Sequence, residues 1–336
     1  MIREAIGKIV ENENLREHEM MAVMSEIMEG DTTPAQIAAF ITSLRMKGET
    51  VEEVTGAARI MRQKATRIDA RSSVIVDTCG TGGDMMNTFN ISTTAAFIVA
   101  AAGITVAKHG NRAVSSSCGS ADVLEALGVN VSAAPEIVEE CIHEIGIGFL
   151  FAPRLHAATK YAVSPRKEIG IRTIFNMLGP LTNPAGATSQ LIGVYDSKLT
   201  EIFAGVLRNL GAKRAFIVHG SDGLDEATVT GETRVSELKD GLITTYNINP
   251  EDYFGRSYTI EELRGKDISF NAAITRGVLS GEDGACRKIA LLNAGLAIVA
   301  GEKADTIAEG IAVAEECVDN GAAIKKLGEL IKLSNS

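Results

Sequence analysis

From residue 74 onward, short apolar runs alternate with helical patterns, and this alternation constrains the fold more than any other feature of the chain. Runs at 74–77, 104–108, 129–131, 148–151, 190–194 and 215–219 read as strands, most of them separated by stretches with apolar residues at helical spacing. Such alternation builds βαβ units around a mostly parallel sheet, because parallel neighbours need a long crossover and a helix supplies it. The stretch 228–248 differs. It alternates apolar and polar residues, with turns at Gly231 and Asp240-Gly241, and predicts an antiparallel addition. Residues 286–333 return to helical periodicity.

Ahead of residue 74 the pattern is helical only. Ile2, Ile6, Ile9 and Val10 form one apolar stripe, and Met20, Val23, Met24, Ile27 and Met28 form a second. Asp31-Thr32-Thr33-Pro34 is a helix start with proline near the first helical position, and that helix is expected to end near Lys47-Gly48. Thr50-Val51-Glu52-Glu53 is a capping box. At 336 residues the chain fits one large or two unequal domains. The expected fold class is α/β: a small all-helical N-terminal domain, 1–70, plus a larger α/β domain, 71–336, with a central mostly parallel sheet surrounded by helices. Between Arg154 and Leu178 two helical patterns follow one another with no clear strand. This segment is expected to leave the sheet and pack on the N-terminal helices, so that helices from about 165–185 join that domain.

Bulk properties narrow the function classes. The net charge is −10, from 33 basic and 43 acidic residues, which argues against a general nucleic-acid surface but leaves room for a local cationic pocket. Tryptophan is absent and aromatics make up 4%, so the core is aliphatic. The five cysteines are scattered and form no C-x-x-C, which fits reduced thiols and a cytoplasmic location. The N-terminus reads as an amphipathic helix rather than a signal peptide. The apolar run at 95–107 is shorter than the ~20 residues a bilayer span needs, so no membrane partner is expected.

Three loops carry the chemistry. Asp77-Thr78-Cys79-Gly80-Thr81-Gly82-Gly83-Asp84 follows a strand and precedes Asn90-Ile91-Ser92-Thr93 at a helix start. Strand, glycine turn and hydroxyl-rich helix start together can cradle phosphate. The same glycines also suit a plain tight connection. No Walker lysine follows, and Lys108-His109 stands where a dinucleotide site wants an acidic residue. The second loop runs from Lys108 to Ser120 and offers two cations, two glycines and four serines, again after a strand. Open α/β sheets bind ligands at such C-terminal strand ends. The third, His219-Gly220-Ser221-Asp222-Gly223-Leu224-Asp225-Glu226, places adjacent carboxylates on a glycine loop, which suits Mg²⁺ beside phosphate or a simple acidic turn. Arg166, in Pro165-Arg166-Lys167 with Arg172 nearby, could grip a carboxylate. Cys79 reads as a buried packing thiol rather than a nucleophile.

These motifs carry a resemblance. G-T-G-G-D, N-I-S-T, K-H-G-N-R, S-S-x-x-G-S-A-D-V-L-E-A-L-G, G-I-R-T-I-F-N-M-L-G-P-L-x-N-P and H-G-x-D-G-L-D-E occur in the order found in the anthranilate phosphoribosyltransferase family, which the chain closely resembles over nearly its whole length. The resemblance implies a pentosyltransferase of tryptophan biosynthesis: phosphoribosyl diphosphate and anthranilate give N-(5-phosphoribosyl)anthranilate and diphosphate. It implies Mg²⁺, a pair of ions per monomer, and a homodimer through the helical domain.

The resemblance also implies site roles. Gly80, Gly83, Asp84, Thr88, Asn90, Ile91, Ser92 and Thr93 would surround the phosphoribosyl donor. Lys108, His109, Gly110, Asn111, Arg112, Ala113, Val114, Ser115, Ser116 and Ser120 would hold its phosphates and shape the anthranilate path. Gly80, Asn111 and Arg166 would meet anthranilate, with Arg166 on its carboxylate. Ser92, Asp225 and Glu226 would bind the metal. No general base is assigned. Two departures stand out: Ala113 where many relatives carry serine, and Ser117-Cys118 where many carry a basic residue followed by serine. One cation fewer there could weaken donor affinity. The rival enzyme reading is a nucleoside phosphorylase of the same fold, and the rival of another class is a nucleic-acid-binding relative. The acidic balance and the Asp225-Glu226 pair count against the second.

Overall fold

The computed structural model describes residues 1–84, 86–113 and 118–336. Val114, Ser115 and Ser116, which the resemblance places at the donor, lie outside the described residues, as does Ser117.

The N-terminal helices are α1 (Ile2–Val10), α2 (Glu17–Glu29), α3 (Pro34–Lys47) and α4 (Val51–Lys64). Both sequence start signals act as read. Thr33 caps α3 with Gln36 returning the bond, and Thr50 does the same for α4 with Glu53. Then follow β1 (Ile75–Gly80), α5 (Ile91–Ala101), β2 (Thr105–Gly110), α6 (Ser120–Leu127), α7 (Pro135–Ile145) and β3 (Ile147–Phe151). The short α8 (Ala152–Leu155) leads into α9 (Lys160–Ile169) and α10 (Ile174–Leu181). The sheet resumes with β4 (Ser189–Gly193), α11 (Leu199–Asn209), β5 (Arg214–Gly220), β6 (Thr233–Lys239) and β7 (Leu242–Ile248). The chain ends in α12 (Glu251–Phe254), α13 (Ile268–Leu279), α14 (Ala285–Ala300), α15 (Ile307–Asp319) and α16 (Ala322–Ser334).

Among the described residues the strands form one sheet in the order β3-β2-β1-β4-β5-β6-β7. The first five are parallel, and β6 and β7 add antiparallel at one edge, as the pattern of 228–248 predicts. The run at 129–131 is not a strand. Val129 and Val131 are buried in the main core, but they sit in the loop between α6 and α7. The backbone N–H of Asn130 donates to Ser334 Oγ on α16 at 3.0 Å rather than to a neighbouring strand. Two apolar residues at i and i+2 anchor a loop as readily as they begin a strand.

Alternate residues of the strands face opposite layers. Leu191, Phe216 and Val218 join α5 and α14 in the main core, while Ile192, Ala215 and Ile217 face α11. That second core continues without a break into the buried residues of α1–α4, and into Ala162, Ile174, Phe175 and Leu178 of α9 and α10. The α9–α10 segment contacts α2, α3 and α4. The side chain of Glu53 ties the helix ends of the bundle together: it accepts the Leu15 N–H at 2.9 Å and the Thr50 N–H at 2.8 Å, and pairs with Lys47 at 3.0 Å.

Candidate active site

The site lies where β1, β2 and β5 end and their loops meet. After Gly80 the backbone turns through Gly82 (φ 70°) and Gly83 (φ 77°), left-handed conformations that residues with a Cβ rarely adopt. Several internal bonds fix this turn. Thr81 N–H donates to the Gly193 carbonyl at 2.9 Å, and Thr81 Oγ1 accepts from Tyr195 N–H at 3.0 Å. Gly82 N–H donates to Asp225 Oδ2 at 2.6 Å. Arg172 donates to the Gly83 carbonyl and stacks on Tyr195, 4.4 Å from the ring centre. Any side chain at Gly80 or Gly193 would collide with Asp225, so the third loop packs directly on the first.

Asp225 and Glu226 are each 8% exposed. Asp225 accepts the Gly82 bond, and Glu226 Oε1 accepts Ser92 N–H at 3.1 Å at the start of α5. Neither carboxylate forms an ion pair among the described residues. Burial pushes Asp225 well above the ordinary carboxylate range, and the nearby charges of Asp84 and Glu226 push it further. Burial raises Glu226 to about 7, with Lys108 opposing. Buried, mutually repelling carboxylates without an ion-pair partner suit a divalent metal that brings further positive charge. No group of three or more His, Cys, Asp or Glu side chains among the described residues is arranged to hold a metal unaided. Mg²⁺ takes a few carboxylates and completes its shell with phosphate oxygens and water. Asp222 of the same motif is not free to join them. Its Oδ2 accepts the hydroxyls of Thr228 and Thr230, both at 2.6 Å, and its Oδ1 accepts Leu224 N–H at 3.0 Å. It shapes the loop that presents the pair.

Beneath the glycine turn lies a buried polar floor. Asp77 accepts His109 N–H at 3.0 Å and Asn183 Nδ2 at 2.8 Å, while Asn183 also donates to the Ala107 carbonyl at 2.7 Å. Lys108, 3% exposed, donates to the Thr78 carbonyl at 2.5 Å, and Thr78 Oγ1 reaches the Ser92 carbonyl at 3.0 Å. The Lys108 cation therefore sits inside the floor, near Asp77 and Glu226, with burial lowering its pKa. The ring of His109 turns away toward α10, with Nδ1 3.1 Å from the Gly179 carbonyl and its centre 5.1 Å from the ring of His156. Burial drops its pKa to about 3, so its side chain is a neutral core group and brings no charge to a phosphate. Cys79 is buried, and burial together with Asp77 raises its thiol well above the usual value, which suits a packing residue.

The second loop closes on itself through α6. Asp122 Oδ2 accepts both Ala113 N–H and Gly119 N–H at 2.9 Å, joining the two flanks of 114–117. Asn111 and Ser120 bond each other at 3.2 Å beside Gly110. Arg112 pairs with Asp122 at 3.2 Å and Glu125 at 2.8 Å, so its charge is shared with two carboxylates. Thr88 bridges Arg264, and Asn90 Nδ2 donates to the Cys118 carbonyl at 3.2 Å. Ile91 is buried in the main core and Thr93 is also buried, leaving the backbone of α5 for the site. Asn271, fully buried on α13, meets Asn90 Oδ1 at 3.4 Å and caps Lys266 N–H at 3.0 Å. Sequence reading missed Asn183 and Asn271 as site supports, because their partners lie 106 and 181 residues away.

Arg166 stands apart on α9, half-buried and packed 5.1 Å over the ring of Phe175. Burial lowers its pKa, and no carboxylate pairs with it among the described residues. A desolvated guanidinium without an anion is prepared for a bidentate carboxylate.

A helical bundle joined to a mostly parallel sheet, with glycine-rich turns and a carboxylate pair at the strand ends, is the architecture of a two-part glycosyltransferase. Family models agree. The α/β domain of a glycosyl transferase family matches residues 72–324, and the helical bundle domain of the same family matches residues 3–65. An anthranilate phosphoribosyltransferase from Syntrophobacter fumaroxidans is 58% identical over 335 residues, covering 100% of this chain and 99% of its own. The crystal structure of the anthranilate phosphoribosyltransferase from Thermus thermophilus superposes with a TM-score of 0.93 at 40% identity, covering 99% of both chains. The Saccharomyces cerevisiae enzyme in complex with PRPP and Mg gives 0.84 at 27% identity, covering 95% of this chain and 92% of its own. The chain belongs to the anthranilate phosphoribosyltransferase family.

Proposed function

We infer that the protein transfers the 5-phosphoribosyl group of phosphoribosyl diphosphate to the amine of anthranilate, releasing diphosphate, as a Mg²⁺-using step of tryptophan biosynthesis. One observation carries the reading: the buried, cation-deficient Asp225-Glu226 pair packed against the glycine turn of β1. The yeast relative's complex with PRPP and Mg supports it.

In this reading the glycine turn, from Gly80 to Asp84, and the start of α5, from Asn90 to Thr93, take the diphosphate end of the donor, with Thr88 beside them. The backbone of 108–113 and Ser120 frame its remaining phosphate. Asp225, Glu226 and Ser92 hold a pair of Mg²⁺ ions, which neutralise charge developing on the leaving diphosphate. Arg166 takes the anthranilate carboxylate, and Asn111 and Gly80 border its path. The amine lone pair forms the new N–C bond at the ribose anomeric carbon as the C–O bond to diphosphate breaks, and the nitrogen then releases its proton. An aromatic amine is neutral at pH 7, so positioning supplies much of the rate without a strong general base. Residues 1–70, joined by 165–185, form one unit that presents Arg166 to the donor held on 71–336. Apolar side chains exposed on α1, α3 and α9 (Val10 67%, Met46 84%, Val163 53%) support a homodimer through that unit. The five cysteines, none of them in a disulfide, support a reducing, cytoplasmic location.

The test is loss of anthranilate fluorescence on mixing with phosphoribosyl diphosphate and Mg²⁺. Dependence on all three components is expected. No loss, with phosphorolysis of thymidine instead, refutes the reading in favour of a nucleoside phosphorylase.

A further inference from the structure

Asn293 lies in the middle of α14, where residues 289–300 are all buried and almost all apolar. It is itself fully buried. An amide in such surroundings destabilises the fold unless its polar atoms find partners. Those of Asn293 do, and two of the three bonds go to one residue. Oδ1 accepts Ala227 N–H at 3.0 Å, and Nδ2 donates to the Ala227 carbonyl at 2.8 Å. The third goes to the Ile289 carbonyl at 2.9 Å. Ala227 directly follows Glu226, so the side chain grips the peptide units on both sides of Ala227 as a neighbouring strand would.

Asp222 holds the turn before the carboxylate pair, and Gly82 N–H holds the Asp225 carboxylate. Beyond Ala227 the loop is tied back to Asp222 by the hydroxyls of Thr228 and Thr230, and Thr228 N–H donates to Thr233 Oγ1 at 2.9 Å, but the peptide units of Ala227 itself are held by Asn293. Two repelling buried carboxylates tend to splay, and the Ala227 backbone, directly after Glu226, is the nearest point at which the chain could give way. Asn293 holds that point from a rigid, fully packed helix. We propose that Asn293 is a positioning residue that fixes the backbone behind Glu226 and so presets the metal-binding geometry of the Asp225-Glu226 pair. The inference rests on the reading of that pair as the Mg²⁺ site.

The test uses Mn²⁺ as a probe for Mg²⁺, titrated into the full-length protein with inorganic diphosphate and followed by the electron paramagnetic resonance of free Mn²⁺. Asn293→Leu keeps the volume and removes every bond. It is expected to weaken Mn²⁺ binding by about tenfold or more, the usual range for a support behind a metal ligand. Asn293→Asp retains an acceptor for Ala227 N–H and is expected to fall between it and wild type. If the leucine variant does not fold, the aspartate variant decides, with a weakening of roughly threefold expected. Leu291→Ala, on the same helix, tests the structural alternative: it should lower the melting temperature while leaving Mn²⁺ binding within about twofold of wild type. An unchanged affinity in the variants at Asn293, or an equal loss in Leu291→Ala, overturns the proposal. Asp225→Asn combined with Glu226→Gln separates the two readings. If that variant binds Mn²⁺ as wild type does, the metal assignment itself fails.

Discussion

Two buried acidic sites in this molecule differ in what surrounds them. Glu53, in the first turn of α4, is fully buried, and its carboxylate accepts two backbone N–H groups and a lysine ammonium. Asp225 and Glu226 are also buried, yet each accepts one backbone N–H, and their nearest charges include each other and Asp84. The first site is electrically complete; the second has only the Lys108 charge nearby, shared with Asp77, and no ion pair of its own among the described residues. A complete buried charge supports structure; a deficient one in a cleft marks the place where a cationic partner belongs.

Breaking each side of this contrast should have opposite consequences. The largest effect is expected on turnover. Asp225→Asn with Glu226→Gln keeps both acceptors for Gly82 and Ser92 but removes the charge. It should lower kcat/KM by about 10³-fold at saturating Mg²⁺, and near-normal activity there refutes the metal assignment. Glu53→Ala leaves Lys47 buried without its partner and should destabilise the protein by roughly 3–5 kcal/mol in denaturant unfolding. At temperatures where it stays folded, its kcat should match wild type.

Arg166→Ala sharpens the comparison from the cationic side, since here the unpaired, half-buried charge is positive. The KM for anthranilate should rise about 10- to 100-fold, the worth of a charged hydrogen-bonded pair, while the KM for phosphoribosyl diphosphate stays within about twofold. Equal changes in both constants would point to a role in folding or closure instead.

The smallest effect concerns pH. His156 is buried, and burial lowers its pKa to about 4 from an ordinary 6.5. As pH falls below 6.5 the unfolded chain takes up this proton first, so the stability it contributes is complete above 6.5 and is lost progressively toward 4. The difference in unfolding free energy between wild type and His156→Gln should therefore slope by at most about 1.4 kcal/mol per pH unit in that window. A flat difference contradicts a neutral buried His156.

Much of the fold was legible because its signals are local. The capping residues Thr33 and Thr50 act within three positions of themselves, and the βα alternation repeats wherever the sheet continues. The run at 129–131 misled because burial and strand pairing are separate properties: Val129 and Val131 have the first without the second. In the site, the adjacency of Asp225 and Glu226 on a glycine loop could be read directly. Arg112 was less legible, since its partners on α6 are carboxylates that sequence shows as ordinary helix-surface charges. The ring of His109 likewise faces inward because β2 is buried on both faces, which a motif does not reveal. Asn183 stood in the quoted G-P-L-x-N-P motif without a role, and Asn271 and Asn293 were silent apart from one sign: Asn293 is a polar residue inside a long apolar helix.

The most direct test of the charge-deficit account is the melting temperature of the Asp225→Asn/Glu226→Gln protein in metal-free buffer near pH 8. Removing two buried, repelling charges while keeping their hydrogen-bond acceptors should leave that temperature unchanged or raise it, although the same protein has lost turnover. A clear fall would mean that the pair supports the fold as Glu53 does, and the contrast between the two sites would not stand.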